Sequence, residues 1–181
     1  NVVNVKTKYS KASFNTIAAQ EFPVLPKAKG NPLFSIDTVE FIKSLEKVSF
    51  ACSTDISAGK IQQSGILFEF DKEVNDKITF VGLDSFRLSK RDAKIEGLDK
   101  EVQKTGIIVP AKDLSELSRI LLDNPKLDKI DVFLSETKSQ IIFKVEDLEF
   151  SVRLIEGPYP DYKRILPDSF SYSFEVKKPE F

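Results

Sequence analysis

The stretch Ser151-Val-Arg-Leu-Ile-Glu-Gly-Pro-Tyr-Pro-Asp-Tyr-Lys-Arg-Ile-Leu-Pro167 decides how this chain is divided. It begins as a strand, because Phe150, Val152 and Leu154 alternate with Ser151 and Arg153. It then meets Gly157-Pro158-Tyr159-Pro160, where glycine frees the backbone and each proline fixes φ and withholds an N–H donor. A ladder cannot continue through that sequence, so one unit ends and the chain leaves it in extended form. A bland connector would be polar. This one carries Tyr159, Tyr162, Ile165 and Leu166, so it is expected to pack against something.

Upstream of that exit the same order of elements occurs twice. Leu33–Ile36 is a short strand, and Asp37 is an N-cap with Glu40 placed as its capping-box partner. A helix is expected from Thr38 to Cys52, with Phe41, Ile42, Leu45, Val48, Ser49 and Cys52 on its buried stripe. After a loop from Ser53 to Gln63 come three strands, Ser64–Phe70, Lys77–Gly82 and Phe86–Lys90, the first two joined by a charged turn, Asp71 to Asp76. A polar crossing loop, Asp92 to Thr105, follows. Then Gly106–Val109 reads as a strand and Pro110 as a helix start, with Leu114, Leu117, Ile120 and Leu121 as the stripe and Asp123-Asn-Pro125 as the stop. Lys129–Ser135, Gln140–Glu146 and Leu148–Leu154 are three more strands. Two strand-helix-three-strand halves imply an α+β fold, with helices on one face of antiparallel sheets.

The flanks read differently. Val3, Val5 and Thr7 alternate, as do Ser13, Asn15 and Ile17, which gives two strands about a turn at Tyr9-Ser10-Lys11. Phe22-Pro23-Val24-Leu25-Pro26 breaks that pattern, and Lys27 to Pro32 is a connector. Beyond Pro167, the spacing of Phe170, Tyr172, Phe174 and Val176 predicts one strand of a further unit. With Asn in first place and no methionine, the chain reads as an excised piece without a visible secretory leader.

Composition narrows the chemistry. The chain has 181 residues and a net charge of −1, so any nucleic-acid contact must come from a local stripe of cations. There is no histidine, which removes Ser-His-Asp and Cys-His nucleophiles and most zinc sites. The single cysteine, Cys52, cannot form an internal disulfide and reads as a small buried apolar side chain. No apolar run approaches the roughly 18 residues of a membrane helix. Asp71, Glu73 and Asp76 are spaced closely enough to suggest a metal site, but a solvated hairpin turn accounts for them, and no metal or cofactor is expected.

Several motifs in order resemble one known family, the bacterial beta sliding clamp. They are Ser64-Gly-Ile-Leu-Phe-Glu69, Leu83-Asp-Ser-Phe-Arg-Leu88, Ile108-Val-Pro-Ala-Lys-Asp-Leu-Ser-Glu-Leu117 and, most specific, Arg153-Leu-Ile-Glu-Gly-Pro-Tyr-Pro-Asp-Tyr-Lys-Arg164. Ser13-Phe-Asn-Thr-Ile-Ala-Ala-Gln-Glu-Phe-Pro23 is similar to the end of the family's first domain. The resemblance covers nearly the whole chain and implies the DNA-clamp fold. It divides the sequence into the end of a first domain (1–26), a middle domain (27–156), a linker (157–168) and the first strand of a third domain (169–181).

The function it implies is that of a non-catalytic subunit of the DNA polymerase holoenzyme, a cytoplasmic homodimeric ring around duplex DNA. Two sites follow. Lys43, Lys47, Lys112 and Arg119 on the helices, with Lys60 before the Ser64 strand, would face DNA without reading sequence. Leu83, Ser85, Arg87, Leu88, Pro160, Arg164 and Ile165, with Gln63, would form the middle-domain wall of a pocket for short peptide motifs of polymerase and clamp-loader subunits. Family members commonly carry Thr-Asp-Gly-His-Arg-Leu where this chain has Leu83 to Leu88, so its peptide preference is expected to differ. Ile61-Gln62 replaces aromatics often found there, which bears on the DNA contact of that loop. A protein-interaction module without DNA binding and a carboxylate-metal hydrolase are the competing readings.

Overall fold

A computed structural model describes residues 1–22, 26–57, 60–70, 76–99, 106–124, 127–167, 169–177 and 179. Near the start, β1 (Val2–Lys6) and β2 (Lys11–Asn15) form an antiparallel hairpin with Val3 opposite Phe14 and Val5 opposite Ala12. The Thr7 hydroxyl accepts the amides of Tyr9 and Ser10, closing the turn at residues 7–10. Lys11 therefore enters the ladder opposite Lys6 instead of forming part of the turn.

The main body follows the expected order, with β3 (Phe34–Asp37), α1 (Thr38–Ser49), β4 (Gly65–Phe70), β5 (Lys77–Leu83) and β6 (Leu88–Lys94). The second half contains β7 (Ile107–Pro110), α2 (Ala111–Leu122), β8 (Lys129–Leu134), β9 (Gln140–Val145) and β10 (Leu148–Arg153). The two halves exchange their first strands. One sheet runs β10-β9-β8-β3 and the other β6-β5-β4-β7. Thus β3 pairs with β8, and β7 with β4, all antiparallel. Each half closes the sheet of the other, a long-range arrangement that the local pattern leaves unmarked.

The Asp37 carboxylate caps α1 by accepting the Glu40 amide at 2.8 Å. Glu40 does not complete the capping box. Its carboxylate takes the Arg91 guanidinium at 2.8 Å and ties α1 to edge strand β6. The helix stops at Ser49, short of Cys52, but Ala51 and Cys52 continue in tighter turns, bonding to the carbonyls of Val48 and Ser49. Those turns carry Cys52 into the core, where it is buried. Pro110 ends β7 opposite Gly65 and leads directly into α2, where its lack of an N–H costs nothing.

Both helices bury one stripe. Phe41, Ile42, Leu45 and Val48 of α1 and Leu114, Leu117 and Leu121 of α2 share one cluster with inward residues of both sheets. Phe41 stands at its centre, with ring centroids 6.5, 6.0 and 5.6 Å from those of Phe68, Phe80 and Phe143.

Two expected strands change. The third strand of the first half begins at Leu88, because the Asp84 carboxylate accepts the amides of Phe86 and Arg87 and holds both in a turn. It then runs on to Lys94, since Asp92 is satisfied by the Thr79 hydroxyl and by Lys77. Past Pro167 no strand forms among the described residues. Phe170, Tyr172 and Phe174 are exposed, and no described strand pairs with them. The expected breaks at Pro23 and Pro125, the crossing loop from 100 to 105 and the carboxylates Asp71 and Glu73 lie outside the described residues.

Candidate functional site

Alternation along β4, β5 and β7 puts Leu67, Val81, Leu83 and Ile108 on the sheet face opposite the main core, where they form a second apolar cluster. The chain leaving β10 crosses this face as a strap. The Ile155 amide donates to the Ile108 carbonyl at 2.9 Å, which extends pairing along edge strand β7. Gly157 then turns with φ of 108°, in the region glycine alone enters freely. A Cβ there would strike the Gln62 side chain, whose amide donates to the Glu156 carbonyl at 3.0 Å.

Beyond that turn the strap is anchored by two tyrosines. The Tyr159 hydroxyl donates to the Val81 carbonyl at 3.1 Å. Tyr162 is 4% exposed, and its hydroxyl donates to Glu69 Oε2 at 2.6 Å. Lys163 Nζ meets the other oxygen, Glu69 Oε1, at 2.7 Å. Burial pushes both phenols well above the usual tyrosine value, and the Glu69 carboxylate adds to the effect at Tyr162. Burial alone would raise the Glu69 carboxyl, but the bonds from Lys163 and Tyr162 outweigh it and hold it below its usual value.

Of the eight residues expected to line a peptide pocket, Leu83 and Leu88 join this cluster beside Tyr159 and Tyr162. Pro160 is half-buried in the strap between those tyrosines. Ser85 and Arg87 sit exposed on the β5–β6 turn, with Arg87 paired to Asp84 at 2.8 Å. Asp84 is held down to about 2 by the Phe86 amide first and then by Arg87. Arg164 and Ile165 are exposed on the strap, Arg164 paired to Asp161 at 2.8 Å. Gln63 does not join the cluster. Its side-chain oxygen is buried without a hydrogen-bond partner among the described residues, and its neighbour Gln62 makes the tie to the strap. Glu69 and Lys163 were not singled out from sequence. The available signal was one acidic residue on the outward face of the otherwise apolar Gly65–Phe70 strand.

The expected nucleic-acid residues all lie on solvent-facing surface. Lys43 and Lys47 project from α1, and Lys112 and Arg119 from α2, away from the buried stripes. Lys43, Lys47 and Lys112 have no ion pair among the described residues. Arg119 is engaged by Glu116 one turn back, and Lys60 lies 3.9 Å from Asp55. Asp76, grouped by sequence with Asp71 and Glu73, uses its backbone carbonyl to accept the Ile95 amide.

Paired helices backed by two strand-exchanged, four-stranded sheets define a DNA-clamp domain, and the comparisons agree. The family described as the DNA polymerase III beta subunit, central domain, matches residues 35–161. The chain belongs to that family. The beta sliding clamp of Halalkalibacterium halodurans is 29% identical over 180 residues, which is 99% of this chain and 45% of that protein. The Staphylococcus aureus beta sliding clamp is 24% identical over 98% of this chain and 44% of its own length. The chain thus spans somewhat under half the length of these relatives. Among solved structures, the Bacillus subtilis DNA polymerase sliding clamp superimposes with a TM-score of 0.73 at 26% identity, covering 93% of this chain and 41% of that one. The beta subunit of Streptococcus pyogenes DNA polymerase gives 0.72 at 26% identity, covering 93% and 43%. No helix among the described residues is long and apolar enough to cross a membrane.

Proposed function

We propose that this chain is part of a DNA sliding clamp, a non-catalytic processivity factor that tethers a replicative polymerase to duplex DNA. The observation that carries the reading is the likeness to the Bacillus subtilis clamp, 26% identical across 93% of this chain. Residues 27–156 act as the middle domain, 1–26 as the end of the first, 157–168 as the linker and 169–181 as the start of the third. In the whole protein such domains close as a homodimeric ring in the cytoplasm.

Lys43, Lys47 and Lys112 face the duplex and attract phosphates without reading bases, as a sliding protein requires. Arg119 and Lys60 contribute less, because each already has an acidic neighbour. Polymerase and clamp-loader subunits dock short motifs against Leu83, Leu88, Pro160 and Ile165, with Ser85 at the turn and Arg87 and Arg164 supplying polar contacts at the rim.

The test is titration of the 181-residue chain with a fluorescein-labelled peptide carrying the clamp-docking segment of a bacterial replicative polymerase. Binding should be weak and should weaken further in Arg87→Ala and Arg164→Ala. Unchanged binding in both variants removes the pocket assignment.

A further inference from the structure

We propose that Glu69 is a positioning residue for the peptide pocket, the carboxylate that fixes the strap and so sets Pro160, Arg164 and Ile165 against Leu83 and Leu88; the proposal rests on the sliding-clamp reading. Glu69 lies on β4, in the middle of its sheet, while the residues it holds are consecutive on the strap. Its two oxygens are divided between them, Oε2 to the Tyr162 hydroxyl at 2.6 Å and Oε1 to Lys163 at 2.7 Å. Tyr162 and Lys163 fall between Pro160 on one side and Arg164 and Ile165 on the other, so one carboxylate controls the segment from its centre.

The rim needs that control. Arg164 and Ile165 are both exposed, and the only side-chain bond of Arg164 among the described residues runs to Asp161 of its own turn. Nothing in that local pairing places the turn relative to the sheet. The Tyr162 ring packs into the apolar cluster that holds Leu67, Val81, Leu83 and Ile108, a contact that is non-directional. The paired bonds to Glu69 supply direction. Charge-assisted bonds of this length are about twice as strong as neutral ones.

The surrounding charges favour an ionised Glu69. Lys163 reaches it from the strap and Lys90 acts on it from β6. Across the sheet, Thr79 on β5 lies opposite Glu69 and donates to Asp92 on β6, which Lys77 and Lys90 flank. Asp92 and Asp161 act on Tyr162 and favour its neutral form, the form that donates to Glu69. The Glu69 pKa is depressed below its usual 4.5, so the clasp is complete above that pH and is lost as pH falls through the lower native value.

The test compares the whole chain with Glu69→Gln, Glu69→Ala and Tyr162→Phe, using the same labelled peptide and hydrogen exchange of residues 155–165. Glu69→Ala should weaken the peptide about tenfold and speed exchange of the strap amides, with Tyr162→Phe intermediate. Tyr162→Phe removes one oxygen and leaves the ring in place, so it remains informative if Glu69→Ala folds poorly. Wild-type affinity should hold at pH 4.5 and fall only as pH drops further, through the lower native value, while Glu69→Gln should bind weakly with a flatter profile. Equal affinity and equal strap exchange in all four proteins overturns the role of Glu69 alone. A peptide that binds none of them overturns the sliding-clamp reading, and the positioning role with it.

Discussion

Replacing Phe41 with alanine should destabilise both sheets together. The side chain is fully buried, and its ring lies within 6.5 Å, centroid to centroid, of Phe68 and Phe80 in one sheet and of Phe143 in the other. Each such ring pair contributes about 0.5–1.5 kcal/mol beyond its buried area. Truncation to alanine also leaves a cavity between two strand-exchanged sheets, whose shared strands restrict collapse. The expected cost is about 4 kcal/mol. For a chain of this size that corresponds to a fall of roughly 10 °C in Tm. Phe41→Leu keeps the apolar contact but loses the ring pairs, and should cost about 1.5 kcal/mol. Urea titration followed by far-UV circular dichroism measures both variants, and the slope of free energy against urea should not change. A cost below about 1 kcal/mol for Phe41→Ala would refute the central placement. A transition that splits into two steps would refute the single shared core.

Two further outcomes follow from buried titrating groups. Tyr159 and Tyr162 have native pKa values raised above the usual 10.0, so the folded chain keeps protons that the unfolded chain releases. Their stabilisation is complete below pH 10 and is lost as pH rises toward the native values, so the urea midpoint should fall above about pH 10. That fall should be shallower in Tyr162→Phe, and an equal slope would contradict the phenol burial. Burial pushes the Cys52 thiol up to about 12, so a disulfide reagent at neutral pH should label it only after denaturant is added. Rapid labelling of the native chain would contradict its place in the core.

Much of this fold is legible in local chemistry. Asp37 marks the start of α1, and the apolar stripes orient both helices, because capping and helical periodicity act over a few residues. The exchange of β3 and β7 is not legible. Their short apolar sequences would suit either sheet, and pairing with strands far along the chain, Phe34 with Val132 and Phe68 with Ile107, leaves no local signature. The start of β6 is misjudged for a different reason. Phe86 looks like a strand residue, but the Asp84 carboxylate captures its amide and leaves the ring in solvent. At the site, Tyr159 and Tyr162 meet the expectation that the exit stretch packs, while Ile165 and Leu166 of the same stretch remain exposed. The bonds to Glu69 fall outside any sequence pattern, because they join β4 to the strap 93 and 94 positions later.

The sliding-clamp account is tested most directly by the affinity of this chain for a short duplex, measured by NMR titration at about 50 and 200 mM salt. Three lysines without an ion pair among the described residues, Lys43, Lys47 and Lys112, engaging one phosphate each give a slope of about −2.7 in log affinity against log salt, or a loss of about 40-fold over that range. The account predicts that loss, independent of DNA sequence and nearly abolished when the three lysines are changed to alanine. Affinity that ignores salt, or that survives the triple substitution, would contradict it.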